Sequence, residues 1–158
     1  MQVNTLILGA GAAGLMCAAH AGPNTLVIDH AKKPGEKIRI SGGGRCNFTN
    51  MYCTPQNFLC ENPHFAKSAL ARYTQWDFIE LVAKHGIAYH EKTLGQLFCD
   101  GKSTQIVQML LDEMAHAEAA LWLETTVVSV DYDGTDFVVS LEHKSKRKTV
   151  LARNLVLA

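Results

Sequence analysis

The sequence carries no surplus of charge: fifteen Lys and Arg residues cancel fifteen Asp and Glu residues over 158 positions. A balanced chain has no electrostatic hold on a polyanion, so neither nucleic acid nor a membrane is expected as a partner. Paired cysteine motifs are missing as well. Cys17, Cys46, Cys53, Cys60 and Cys99 form no C-x-x-C, and no secretory signal is legible, which favours reduced thiols in a cytoplasm over a disulfide frame. The seven histidines show no i,i+4 pairing with acids of the zinc type, so no metal is expected. Long apolar runs are scarce. The one candidate for a leader or a membrane span, VNTLILGAGAAGLMCAAHAG from Val3, has no basic region and is broken by Gly9, Gly11 and Gly14.

That stretch reads instead as a strand over Val3–Leu8, a glycine turn GAGAAG over Gly9–Gly14, and an Ala-rich helix ending near Gly22-Pro23. Thr25–Ile28 is a second strand, and it closes on Asp29, at the spacing of a βαβ dinucleotide fingerprint. In that fingerprint Gly9 permits the tight turn, Gly11 lets a pyrophosphate approach the backbone, and Gly14 lets the helix pack close to the strand. The helix start, at Ala12 and Ala13, offers N–H groups and a partial positive charge to phosphates. Asp29 would accept hydrogen bonds from ribose hydroxyls. A carboxylate with no arginine directly after it repels a 2′-phosphate, so FAD or NAD suits this site and NADP does not. Charge does not choose between those two.

The segment after Asp29 separates them. Residues 34–61 form a long stretch rich in turn formers, including SGGGRCNFTN at 41–50, where an ordinary NAD domain would enter another helix. Long loops in compact domains are usually functional. This one is polar, rich in glycine and basic at Lys37, Arg39 and Arg45, as suits backbone wrapped around an extended anionic cofactor.

The combination of GAGAAG at 9–14, PGEK at 34–37 and SGGGRCNFTN at 41–50 resembles the BaiN-like family of FAD-dependent oxidoreductases, also known as aminoacetone oxidases, within the glutathione-reductase superfamily. GQLFCDGKSTQIVQML at 95–110 is similar to a further family segment, with Gln96 and Cys99 in place of its arginine and proline. The resemblance implies that Ser41, Gly42, Gly43, Arg45, Cys46 and Asn47 surround the flavin and pyrophosphate, and that Val127 presents its backbone to the adenine. It also implies a departure, since Asp29-His30 stands where the family usually has Glu-Lys.

The fold expected is α/β: a Rossmann-like FAD-binding domain, a parallel sheet with flanking helices, with an inserted β-hairpin or meander over 126–150 around Asp133-Gly134. Helices are expected over 63–73 and 75–86, and short strands over 87–90 and 96–99. Ser103 is expected to cap a helix over 104–118, Leu121–Leu123 to be a third sheet strand, and Leu155–Ala158 the next parallel strand. By resemblance, the chain is the N-terminal FAD-binding part of a longer enzyme, truncated before its substrate domain.

The leading functional expectation is a cytoplasmic flavoprotein oxidoreductase that passes electrons from NAD(P)H to a small organic acceptor or oxygen. The flavin would carry the electrons, so no catalytic triad is sought. Cys46 beside Arg45 invites a redox role, but no second cysteine stands near it in sequence. The alternatives are a non-catalytic nucleotide-binding or redox-sensing module, and an FAD-dependent enzyme acting on tRNA. The neutral charge balance argues against the last of these.

Overall fold

The runs Gln2–Leu8 (β1) and Thr25–Ile28 (β2) are aliphatic and β-branched, and they pair in parallel with Thr5 opposite Thr25 and Leu8 opposite Ile28. In this computed structural model, which describes residues 1–158, every residue of β2 is buried, as expected of a parallel strand covered on both faces. Between the two strands runs helix α1 (Ala12–His20), which buries Gly14, Leu15 and Ala18. The chain divides into two compact units, one made of Met1–Ile38 and Val107–Ala158, the other of Arg39–Ile106.

The first unit is built on a six-stranded sheet. Its order is β6 (Ala120–Trp122), β2, β1, β9 (Lys146–Leu157), β8 (Phe137–His143) and β7 (Thr125–Tyr132). β6, β2, β1 and β9 run parallel, while β7, β8 and β9 form an antiparallel meander. The β7–β8 turn is set by Asp133, whose Oδ1 accepts from the N–H groups of Thr135 and Asp136 at 2.9 Å each. The β8–β9 turn is set by Lys144 and Ser145, which both adopt the positive φ of a type I′ hairpin. Val3, Leu6, Leu26, Ile28, Val139, Leu141, Val150 and Ala152 form one core cluster, so the meander and the parallel strands share a hydrophobic interior. Helix α5 (Thr104–His116) buries Val107, Leu110 and Met114 at helical spacing.

The second unit holds a three-stranded antiparallel sheet, in the order β3 (Asn47–Asn50), β5 (Gln96–Cys99) and β4 (Tyr89–Glu91). Helix α4 (Gln75–Lys84) starts at a capping box. The Thr74 hydroxyl accepts from the Asp77 N–H, and the Asp77 carboxylate accepts from the Thr74 N–H at 2.6 Å. Phe78 on this helix meets Phe48 on β3 at 6.1 Å between ring centroids, and Phe48 in turn meets Tyr89 on β4 edge-on at 5.5 Å.

Several local expectations are corrected. The segment 34–61 is more regular than its turn formers suggest: it contains helix α2 (Glu36–Ile40), a tight turn over Ser41–Gly44, strand β3 and a 3₁₀ turn over Pro55–Asn57. β3 forms because β5, far downstream, supplies its hydrogen bonds, a pairing that local composition does not encode. The first helix of the 63–73 stretch shortens to α3 (Lys67–Arg72). Ser103 stands directly before helix α5, and its hydroxyl donates to the Arg39 carbonyl oxygen at 2.7 Å. The expected strand at 155–158 is the tail of the twelve-residue β9. No helix is long and apolar enough to cross a membrane.

Candidate nucleotide-binding site

The C-terminal end of β1 runs into the glycine turn, and three hydrogen bonds, two within the backbone and one to a side chain, pin that turn. Gly9 N–H donates to the Ile28 carbonyl at 2.8 Å, Gly35 N–H to the Ala10 carbonyl at 2.8 Å, and Ala10 N–H to Asp29 Oδ2 at 2.7 Å. The other carboxylate oxygen of Asp29 accepts from the Ala31 N–H at 2.8 Å. The acid at the end of β2 therefore holds both its own loop and the turn at the end of β1.

Gly14 is required by close packing, since a Cβ there would collide with the Gly9 carbonyl oxygen. Gly11 is a different case. It occupies the N-cap of α1 at φ −82°, a conformation open to any residue, and a Cβ there would meet nothing within 4 Å. The fold does not need glycine at that position; what glycine leaves there is clear space at a helix N-terminus, where no side chain supplies a cap.

That space belongs to a cavity of about 690 Å³, within the range of small-molecule and cofactor sites. Of the residues expected from sequence, Gly9, Gly11, Ala12, Ala13, Asp29, His30, Lys37 and Val127 line it; Gly14 is not among its lining residues. Lys33, Thr125 and Thr126 line it too, and no sequence motif marks them. Val127 sits where the pairing of β7 with β8 shifts register, between Val127 and Ser129, so the strand bends at the cavity rim. His30 is well exposed, with its Nδ1 3.3 Å from Asp29 Oδ1.

Ser41, Gly42, Gly43, Arg45, Cys46 and Asn47 all lie in the second unit and make up a distinct structure. Gly42, Gly43 and Gly44 have φ of 58°, 67° and 86°, a left-handed turn closed by the Cys46 N–H donating to the Ser41 carbonyl at 3.0 Å. At Gly42 a Cβ would come within 2.7 Å of the Phe98 ring, so glycine is demanded by conformation and by packing together. The turn is held from a second segment as well: Cys99 N–H donates to the Arg45 carbonyl at 3.0 Å, and Ser103 N–H to the Gly44 carbonyl at 2.7 Å. Gly42, Gly43, Arg45 and Asn47 are exposed, Ser41 is half-buried and Cys46 is buried.

Sequence spacing gave Cys46 no thiol neighbour, but the fold supplies Cys99, on the strand that pairs with β3. Burial pushes the Cys46 thiol up, in part offset by its hydrogen bond with Ser41. Burial pushes Cys99 up to about 11, with Cys46 and Asp100 adding to the effect. Both thiols stay protonated at neutral pH, the opposite of an activated nucleophile. Of the two tryptophans, Trp76 is 55 % exposed, while Trp122 packs against the core cluster and stacks on His143 with Lys148 Nζ 4.4 Å above its ring.

A parallel sheet, a glycine turn at the end of its first strand, an acid at the end of the second and a cavity above them define a Rossmann-type α/β domain. The chain belongs to the family described as the HI0933-like protein Rossmann domain, whose model matches residues 3–158. It is 55 % identical over 160 residues to a protein of Escherichia coli (strain K12) named ribosomal RNA dihydrouridine synthase, and covers 99 % of itself against 39 % of that relative. The namesake of Haemophilus influenzae is 50 % identical, with 97 % of this chain and 39 % of the relative covered. The chain thus spans well under half the length of these relatives. Among solved structures, the anhydrotetracycline hydroxylase OxyS of Streptomyces rimosus superposes with a TM-score of 0.62 at 16 % identity, over 100 % of this chain and 31 % of that one, which shows a shared fold.

One expectation is overturned here. The neutral charge balance pointed away from nucleic acid, yet both close relatives are named for a reaction on ribosomal RNA. Net charge fails as a guide because it sums one stretch of sequence into a single figure. It describes neither the local distribution of charge nor the rest of the length present in the relatives.

Proposed function

We propose that this chain is the FAD-binding portion of a flavin-dependent reductase that acts on uridine in ribosomal RNA. The observation that carries the reading is the 55 % identity, across essentially the whole chain, to a ribosomal RNA dihydrouridine synthase. The residues of the site suit the cofactor. An open helix N-terminus at Gly11–Ala13 is matched to a pyrophosphate, and the cavity-lining carboxylate of Asp29 keeps lone pairs for ribose hydroxyls. The bent strand at Val127 forms the wall beside an adenine, and the exposed left-handed turn at Gly42–Gly43 offers backbone to the flavin.

When bound, FAD supplies the two-electron chemistry, and NAD(P)H is its donor in this reading. The chain's own residues bind, orient and exclude water. The test is to purify the full-length protein, record its visible spectrum, and incubate it with ribosomal RNA and NADH or NADPH. Flavin bands, bleaching by the nicotinamide without air, and a uridine heavier by two hydrogens are expected. A protein with flavin that leaves the RNA unchanged would sink the RNA reading and keep the flavoprotein one.

A further inference from the structure

Reduction of a uracil to its dihydro form needs more than a hydride. The C5=C6 bond is conjugated to the C4 carbonyl, so a hydride from reduced FAD adds at C6 and the electron pair moves onto C5 and the carbonyl oxygen. The resulting enolate must take a proton at C5. Of the proton-bearing residues assigned to the cofactor, His30 and Lys37 line the cavity at the nucleotide end, in the first unit. Cys46 and Cys99 are buried, and the Asp29 carboxylate is committed to two N–H groups at the nucleotide end.

The second unit contains a pair suited to the task. His90 Nδ1 lies 2.6 Å from Asp100 Oδ1, and both side chains are about half exposed, so the other ring nitrogen, Nε2, can meet a ligand. This pair does not sit on an arbitrary surface. Asp100 directly follows Cys99 and lies three residues before Ser103, and both of those donate backbone hydrogen bonds to the glycine turn, at Arg45 and Gly44. Its own N–H donates to the Ala88 carbonyl at 2.9 Å, which fixes the other side of the segment. The His90 ring stacks on Phe98 at 6.5 Å and 22°, and an edge of that same phenyl ring packs against Gly42. Lys92 Nζ, 5.1 Å from the Phe98 centroid, adds a positive charge two residues along the chain from His90. One phenyl ring therefore links the imidazole to the turn that offers its backbone to the flavin.

We infer that His90 is the proton donor to C5 of the uracil, with Asp100 as its positioning residue. This rests on the proposed reduction of uridine in ribosomal RNA. Asp100 accepts the Nδ1–H and so directs Nε2–H at the substrate; the imidazolium gives that proton to C5 as the hydride arrives at C6, and the neutral ring recovers a proton from water. Atoms and electrons balance: the uracil gains a hydride and a proton, and the flavin is oxidised.

Two measurements on the full-length protein test it. The first needs no substrate: the ¹⁵N shifts of His90, identified by their loss in His90→Gln, should report the Nδ1–H tautomer at alkaline pH and revert toward the ordinary Nε2–H form in Asp100→Ala. The second is steady-state kinetics with ribosomal RNA. His90→Gln should lower kcat by about 100-fold with little change in KM, while FAD retention and flavin bleaching by NAD(P)H stay as in the wild type. Asp100→Ala should show a smaller loss of kcat together with its tautomer change. A His90→Gln protein that reduces RNA at the wild-type rate overturns the inference alone, as does an Nε2–H tautomer in the wild type. A wild-type protein that never reduces RNA overturns the functional reading, and this inference with it.

Discussion

Asp29 Oδ2 accepts the backbone N–H of Ala10 at 2.7 Å, which joins the end of the second strand to the turn after the first. Ala10 is fully buried, so its N–H has no access to water as a substitute. Asp29→Ala should therefore lower folding stability by about 2 kcal/mol in urea denaturation at neutral pH, because a buried donor loses a charged acceptor. Asp29→Asn keeps an acceptor oxygen and should lose less. Both variants should release FAD on gel filtration, and retention of the yellow band by Asp29→Ala would remove this residue from the cofactor site.

The two glycines of the turn and helix start separate structural from ligand roles. Gly14→Ala forces a Cβ onto the Gly9 carbonyl and should cost about 2–3 kcal/mol. Gly11→Ala meets open space and should change stability by no more than about 0.5 kcal/mol. Gly11→Val should fold as well but weaken FAD binding at least about tenfold, by filling the approach to the pyrophosphate. Thermal melts paired with flavin titrations read both quantities; a Gly11→Val protein with unaltered FAD affinity would show that the space serves something else.

The buried thiols make the protein sensitive to alkali. The Cys99 thiol has a raised folded pKa, so the folded state holds its proton where the unfolded chain, with an ordinary thiol pKa of 9.0, has released it. Stability is then fully present below about pH 9 and falls as the pH rises toward about 11, by at most ~2–3 kcal/mol for a shift of this size. Cys99→Ser should flatten that part of the pH profile. At pH 8 an alkylating reagent should label exposed Cys60 first and leave Cys46 and Cys99 untouched until the protein unfolds, which peptide mapping would read directly.

The parts of the molecule legible in the sequence are those whose determinants are close together in the chain. Thr25–Ile28 closing on Asp29, the Asp133-Gly134 turn between alternating strands, and the helix that starts at Gln75 each depend on neighbours within a few residues. What was illegible depends on partners brought in by the fold. β3 is polar and rich in asparagine, and is a strand only because Leu97 and Phe98 pair with it. Cys46 gains Cys99 and His90 gains Asp100 only once the antiparallel sheet forms. The glycine-rich segment was legible as a site but not in its detail: its sequence announces left-handed backbone, and the three-dimensional structure is needed to show that Phe98 and Ser103 hold it in place.

Strand β9 constrains where the gene can gain or lose codons. Over Lys146–Ala152 it is in antiparallel register with β8, and over Leu151–Leu157 in parallel register with β1, so one unbroken strand sets two alignments at once. An insertion at the Lys144–Ser145 tip lengthens a hairpin and disturbs neither register. The same insertion at Val150 or Ala152, both fully buried, would turn the adjoining side chains to the opposite face and displace Ala158 from its seat against Gly9. Length variation in this half of the molecule is therefore confined to the hairpin tips, while the span from Val150 to the glycine turn is metrically fixed.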